Sequence, residues 1–168
     1  MAEPVYCFDT SSLIDLNRRY PRDIFPGLWE RLGGLAQNGR LVAPREVFRE
    51  LEKGDDELVP WARERSEMFQ DLDDAQIEAV REILVRFPNL VDRDKETPDA
   101  DPFVVALAVV QNRLESQSML PRPWVVVAEE SRRRSPDQRP RIPDVCEHFA
   151  VSCLRVFNLI RTEGWTFS

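Results

Sequence analysis

An α/β fold, with a central and mostly parallel β-sheet carrying helices on both faces, is what this sequence predicts. Short apolar runs alternate along the chain with longer segments of helical period, and such alternation builds parallel sheets through helical crossovers. The runs are apolar without interruption, as strands buried on both faces are. The 168 residues, 42% of them hydrophobic, suffice for one real core. No repeat, low-complexity tract or Gly/Ser linker divides them, so a single domain over residues 1–168 is expected.

Val5–Phe8 reads as the first strand. Helical periods follow over Ser12–Arg19 and Ile24–Gln37, the second stopping before Gly39, where a C-terminal glycine belongs. Leu41–Ala43 is a second short strand. Pro44 suits the first position of the next helix, whose apolar stripe is Val47, Phe48 and Leu51. Glu46 and Glu50, four apart on that helix, share a face. Glu57–Phe87 is helical by period, with Ile77, Val80, Ile83 and Leu84 as its buried stripe. Asn89–Val91 reads as a short strand. Phe103–Leu114 opens almost wholly apolar, which predicts a central helix packed on several sides. Trp124–Val127 is the clearest strand. A short helix over Pro143–Phe149, a last strand over Val151–Leu154 and a closing helix over Val156–Arg161 complete the order. Ligands of such sheets bind at the carboxyl ends of the strands.

That edge is where the acids fall. Asp9 ends the first strand, and Glu50, Asp101 and Glu130 take comparable places at strand exits or on flanking helices. Ionised side chains are seldom buried unless paired or bound to metal. Each acid also has a structural explanation. Asp9 and Asp101 can be helix N-caps, the latter just before Pro102; Glu50 can be an exposed helix residue, and Glu129-Glu130 a solvated turn. Together they say more. Carboxylates gathered at one edge repel, and either take up protons or require a cation. Hard cations such as Mg²⁺ prefer carboxylate oxygen and retain water. The constellation therefore points to a divalent-metal site that hydrolyses phosphodiesters.

A net charge of −7 argues against nonspecific nucleic-acid binding over the whole surface. Yet Arg132, Arg133, Arg134, Arg139 and Arg141 lie within ten residues and are candidates to hold a nucleic-acid backbone, a solvated loop being the alternative. Other chemistries are poorly served. His148 is the single histidine, which leaves little room for a Ser-His-Asp triad. Cys7, Cys146 and Cys153 form no standard zinc spacing with it, and their odd number fits a reducing compartment. There is no Walker-type loop and no Gly-x-Gly-x-x-Gly. Trp29, Trp61, Trp124 and Trp165 are scattered, and core packing is their expected role. No apolar run nears the roughly 20 residues of a transmembrane helix. The N-terminus lacks the basic start and long apolar stretch of a signal peptide, so a cytoplasmic location is expected.

Four segments, in order, resemble the motifs of the PIN-domain ribonuclease family. Tyr6-Cys7-Phe8-Asp9-Thr10-Ser11-Ser12-Leu13-Ile14 looks like its opening strand and first ligand. Ala43-Pro44-Arg45-Glu46-Val47-Phe48-Arg49-Glu50-Leu51 is similar to its second motif, a glutamate before leucine. Asp101-Pro102-Phe103-Val104-Val105-Ala106-Leu107-Ala108 resembles its third, an aspartate opening an alanine-rich helix. Val125-Val126-Val127-Ala128-Glu129-Glu130 matches the fourth, with glutamate where the family has Thr-x-Asp. Ile142-Pro143-Asp144-Val145-Cys146 resembles a bacterial, VapC-like branch.

The resemblance covers essentially the whole chain and implies a PIN-like domain acting as a metal-dependent endoribonuclease. It implies Mg²⁺ or Mn²⁺ held by Asp9, Glu50, Asp101 and Glu130, with Asp99 able to share or take the role of Asp101 and Glu129 that of Glu130. Ser11 matches a small hydroxyl that supports the site. Asp144 has the alternative of a cap, with Glu147 at capping-box spacing. By the same resemblance the protein is the toxin of a type II toxin–antitoxin pair, with an antitoxin docking on apolar helix faces between residues 12 and 70. A homodimer is a further expected partner. The rival readings are a DNA or structure-specific nuclease with the same acids, and a non-catalytic PIN-like module binding nucleic acid or protein.

Overall fold

The structure is a computed structural model that describes residues 2–54, 57–92, 94 and 99–168. Its strands are β1 (Val5–Phe8), β2 (Leu41–Pro44), β3 (Phe69–Gln70), β4 (Trp124–Val127) and β5 (Cys153–Leu154). They form one five-stranded sheet in the order β3-β2-β1-β4-β5, and every pairing is parallel. β1 meets β4 residue for residue, from Val5 opposite Trp124 to Phe8 opposite Val127. Helices α1 (Thr10–Arg19), α2 (Pro26–Gln37), α3 (Arg45–Gly54), α4 (Leu58–Glu64), α5 (Asp74–Arg86), α6 (Asp101–Glu115), α7 (Ile142–His148) and α8 (Val156–Thr162) flank it. The chain winds outward from β1 through β2 to β3, then returns to β4 and β5 on the other side of β1. Connections leaving β1 and β4 therefore diverge, and a crevice opens at the carboxyl ends of these two strands.

The apolar runs behave as their composition requires. β1 and β2 are buried throughout, and Val125–Val127 with them. α6 lies against α5, α7, β1, β2 and β4, and Val104–Ala108 are wholly buried, which accounts for a helix apolar on nearly every side. Trp29 and Trp61 come together in the core, their rings edge to face at 5.2 Å. At the amino-terminal edge of the sheet, Arg40 and Glu163 form a nearly buried ion pair (Nη1 to Oε2, 3.1 Å), and the Tyr6 hydroxyl donates to Glu163 Oε1 (2.7 Å). Among the described residues no helix is long and apolar enough to cross a membrane.

Three expected elements differ. The segment Glu57–Phe87 is not one helix: α4 stops at Arg65, whose guanidinium lies 4.7 Å over the Trp61 ring, and β3 follows before α5 begins. Asp73 starts α5, accepting from Gln76 N–H (2.8 Å) while Gln76 Oε1 accepts from Asp73 N–H (3.0 Å). That reciprocal capping box is a local stop-and-start signal inside an apparently continuous period. Ile77 faces solvent, and the α5 stripe runs instead through Gln76, Ala79, Val80 and Ile83. Finally, Asn89–Val91 is not a strand. Pro88 opens a single 3₁₀ turn through Leu90, as its fixed φ favours.

Candidate metal centre

Asp9 leaves β1 at the crevice and caps α1. Ser12 N–H donates to Oδ1 (2.9 Å) and the Ser11 hydroxyl to Oδ2 (2.7 Å). The Ser12 hydroxyl also donates to Val127 O (2.9 Å), fastening this turn to the end of β4. Ser11 therefore contacts Asp9 directly, and the helix cap and the candidate ligand are one residue. Burial pushes Asp9 up to about 6, against the hydrogen bonds from Ser12 and Ser11 and with added repulsion from Glu130.

Asp101 is the first residue of α6 and not its cap, a position taken by Ala100. Its carboxyl accepts no hydrogen bond from the described residues. Burial pushes it up to about 8, reinforced by Asp9, Glu130, Glu50 and Asp99 in that order. Asp9, Glu50, Asp99 and Glu130 therefore all bear on this one carboxyl. Glu50 reaches it from α3, accepting from Ala100 N–H at the head of α6. Asp99 holds the preceding chain, accepting from Asp92 N–H (3.0 Å) and lying 3.6 Å from Arg139 Nη2. Asp99 and Asp101 both line the crevice, Asp101 at the head of α6 and Asp99 two residues before it.

Glu129 and Glu130 have different surroundings. Glu130 lines the acid crevice and accepts from Ile142 N–H at the start of α7 (3.1 Å). Glu129 turns the other way, accepting from Val156 N–H of α8 (2.7 Å), with Arg19 Nη1 3.9 Å off. The crevice has a volume of about 600 Å³ and is lined by Glu50, Asp99, Asp101, Glu130, Arg139 and Arg141. One turn before Glu50, Glu46 keeps its Oε2 buried and without a hydrogen-bond partner among the described residues, as does Thr10 its Oγ1 beside Asp9. The shared face of Glu46 and Glu50 was the sequence signal for the first of these.

The arginines divide. Arg139 donates to Asn89 O (3.1 Å) and Leu90 O (2.8 Å), holding its loop against the crevice. Arg141 donates to Ser131 O (3.3 Å). Arg133 ties its own loop through Pro136 O and Gln138 O, both 3.2 Å. Arg132 pairs with Glu147 (3.0 Å). Asp144 is the third residue of α7, not its cap; it reaches back to the N–H groups of Arg141 (2.8 Å) and Arg133. His148 rests edge to face against Phe87 and Phe149, while Cys146 and Cys153 meet each other.

The donor set suits a hard cation: carboxylates, one of them without a hydrogen-bond donor among the described residues, gathered where like charge accumulates. Their spacing is open. Among the described residues no three of His, Cys, Asp or Glu stand close enough to be direct ligands of one ion. Mg²⁺ tolerates this better than most metals, since it commonly takes one or two carboxylates and keeps its waters.

Fold and site together define a parallel α/β protein with an acidic crevice at the point where its winding reverses. The chain belongs to the family described as Domain of unknown function (DUF4411), matched over residues 6–167. No curated protein and no solved structure matches it.

Proposed function

We propose that this chain is a metal-dependent endoribonuclease of PIN-like type. The observation that carries the reading is Asp101, a largely buried carboxyl with no donor among the described residues and four acids acting on it. Such crowding opposes folding and persists where a cation offsets it. Asp9 and Asp101 would hold Mg²⁺ or Mn²⁺, with Glu50 and Glu130 completing the negative field. A divalent cation there lowers the pKa of a bound water and offsets phosphate charge. Ser11 keeps Asp9 oriented. Arg139 and Arg141, in the same crevice, bring positive charge to the scissile phosphate.

A toxin role, with an antitoxin or a second copy as partner, rests on the VapC-like resemblance. Of the large apolar residues between 12 and 70, Ile24 and Phe25 stand exposed among those described, a smaller face than the sequence suggested. The open spacing of the acids favours, as second reading, a module that binds nucleic acid without cutting it. Labelled RNA and DNA strands of one sequence, incubated with Mn²⁺, Mg²⁺ or EDTA, decide among these. The reading expects RNA cleavage that EDTA and Asp101→Asn both abolish. Binding without cleavage under every metal condition would favour the second reading, and preferential DNA cleavage would move the substrate class.

A further inference from the structure

Three hollows adjoin along the 131–141 loop. The acid crevice shares Gln138, Arg139 and Pro140 with a second hollow of about 450 Å³, walled by Pro88, Asn89 and Asp92. That hollow shares Arg133 and Pro136 with a third, also of about 450 Å³, between the loop, α7 and the end of α5. The third is basic: Arg86, Arg132, Arg133 and Arg134 line it with Asp144 and Glu147. The two acids are already engaged, Asp144 by backbone N–H groups and Glu147 by Arg132. Arg86 and Arg134 have no carboxylate partner among the described residues. Both are exposed, and the Arg86 guanidinium lies 5.0 Å over the Phe87 ring. On a chain of net charge −7, two unneutralised guanidiniums in one cleft are a local reversal of sign.

A small anion would need only one hollow. Three joined hollows, acidic at one end and basic at the other, fit a linear polyanion lying along them. We propose that an RNA strand runs from the acid crevice along the 131–141 loop and sets backbone phosphates against Arg86 and Arg134. The proposal rests on the ribonuclease reading for its substrate, and adds Arg86, from a helix far away in sequence, to the binding surface. Arg133 and Arg139 act as loop clamps that shape the track.

Because the basic end is separate from the acids, binding there survives metal removal, and it is measured in EDTA, where no cutting occurs. The probe is a fluorescein-labelled single-stranded RNA, followed by anisotropy across a salt series. The double variant Arg86→Gln/Arg134→Gln is compared with Arg63→Gln/Arg161→Gln, an equal charge change at exposed sites elsewhere. The track predicts a loss of about tenfold for the first pair alone, and a salt slope shallower by about 0.7 for each phosphate contact removed. Equal weakening by both pairs, or no RNA binding by the wild type, would overturn it. Adding Mn²⁺ afterwards separates the two ideas. Wild type that binds through Arg86 and Arg134 yet never cuts keeps the track and loses the nuclease; cutting with binding indifferent to Arg86 and Arg134 does the reverse.

Discussion

With burial and four carboxylates against its charge, Asp101 titrates near 8, whereas an aspartate in an unfolded chain titrates near 3.9. Between those values the native protein binds a proton that the unfolded chain does not. Stability of the metal-free protein therefore falls as pH rises through that window. Asp101→Asn removes the charge while keeping the shape. In EDTA it should raise the melting temperature at pH 8.5, by roughly 2–4 °C for each kcal/mol relieved, and leave it nearly unchanged at pH 3, below the unfolded value. An equal shift at both pH values would mean the carboxyl is not under electrostatic stress. Asp9→Asn should gain less, because Asp9 is stabilised by the two donors of its cap, and the Asn oxygen keeps only the Ser12 bond.

At the scale of elements, the site depends on how strand exits and helix starts meet. Asp9 and Asp101 were legible because each follows or precedes an apolar run too long for a solvated face. Glu130 and Glu129 were not separable, since one backbone step decides which side of the sheet edge a residue faces. The end of α4 and the whole of β3 were hidden by a period that stayed helical across Glu57–Phe87. The Asp73–Gln76 capping box marked the true start of α5. Strand β3 is two residues long and carries no pattern of its own; its pairing of Phe69 with Ala43 is a tertiary fact. Asp73→Ala should cost about 1 kcal/mol, the usual worth of an N-cap, lowering the melting temperature by a few degrees without changing metal binding. A loss of metal binding in that variant would tie α5 to the acids in a way the geometry does not. The arginine cluster was legible as charge but not as division of labour, because loop carbonyls claimed Arg133 and Arg139 and a distant helix supplied Arg86.

Across the whole molecule, the two edges of the sheet hold opposite kinds of charge. At the amino-terminal edge, Arg40, Glu163 and Tyr6 satisfy one another and tie the C-terminal segment to β1 and β2. At the carboxyl edge, acids meet without enough donors. Glu163→Ala would leave Arg40 nearly buried without this partner, at a cost of about 3 kcal/mol or more. Chemical denaturation should show that loss with metal binding intact in the folded fraction, since the clamp and the crevice lie at opposite ends of the strands. On the proposed function the carboxyl edge holds a metal ion, and Mn²⁺ titration by calorimetry tests that without knowledge of a substrate. Saturable binding to the wild type should disappear in folded Asp9→Asn and Asp101→Asn. Binding that neither substitution alters, or no binding at all, would contradict it and leave these acids as caps and strained surface groups on a parallel α/β fold.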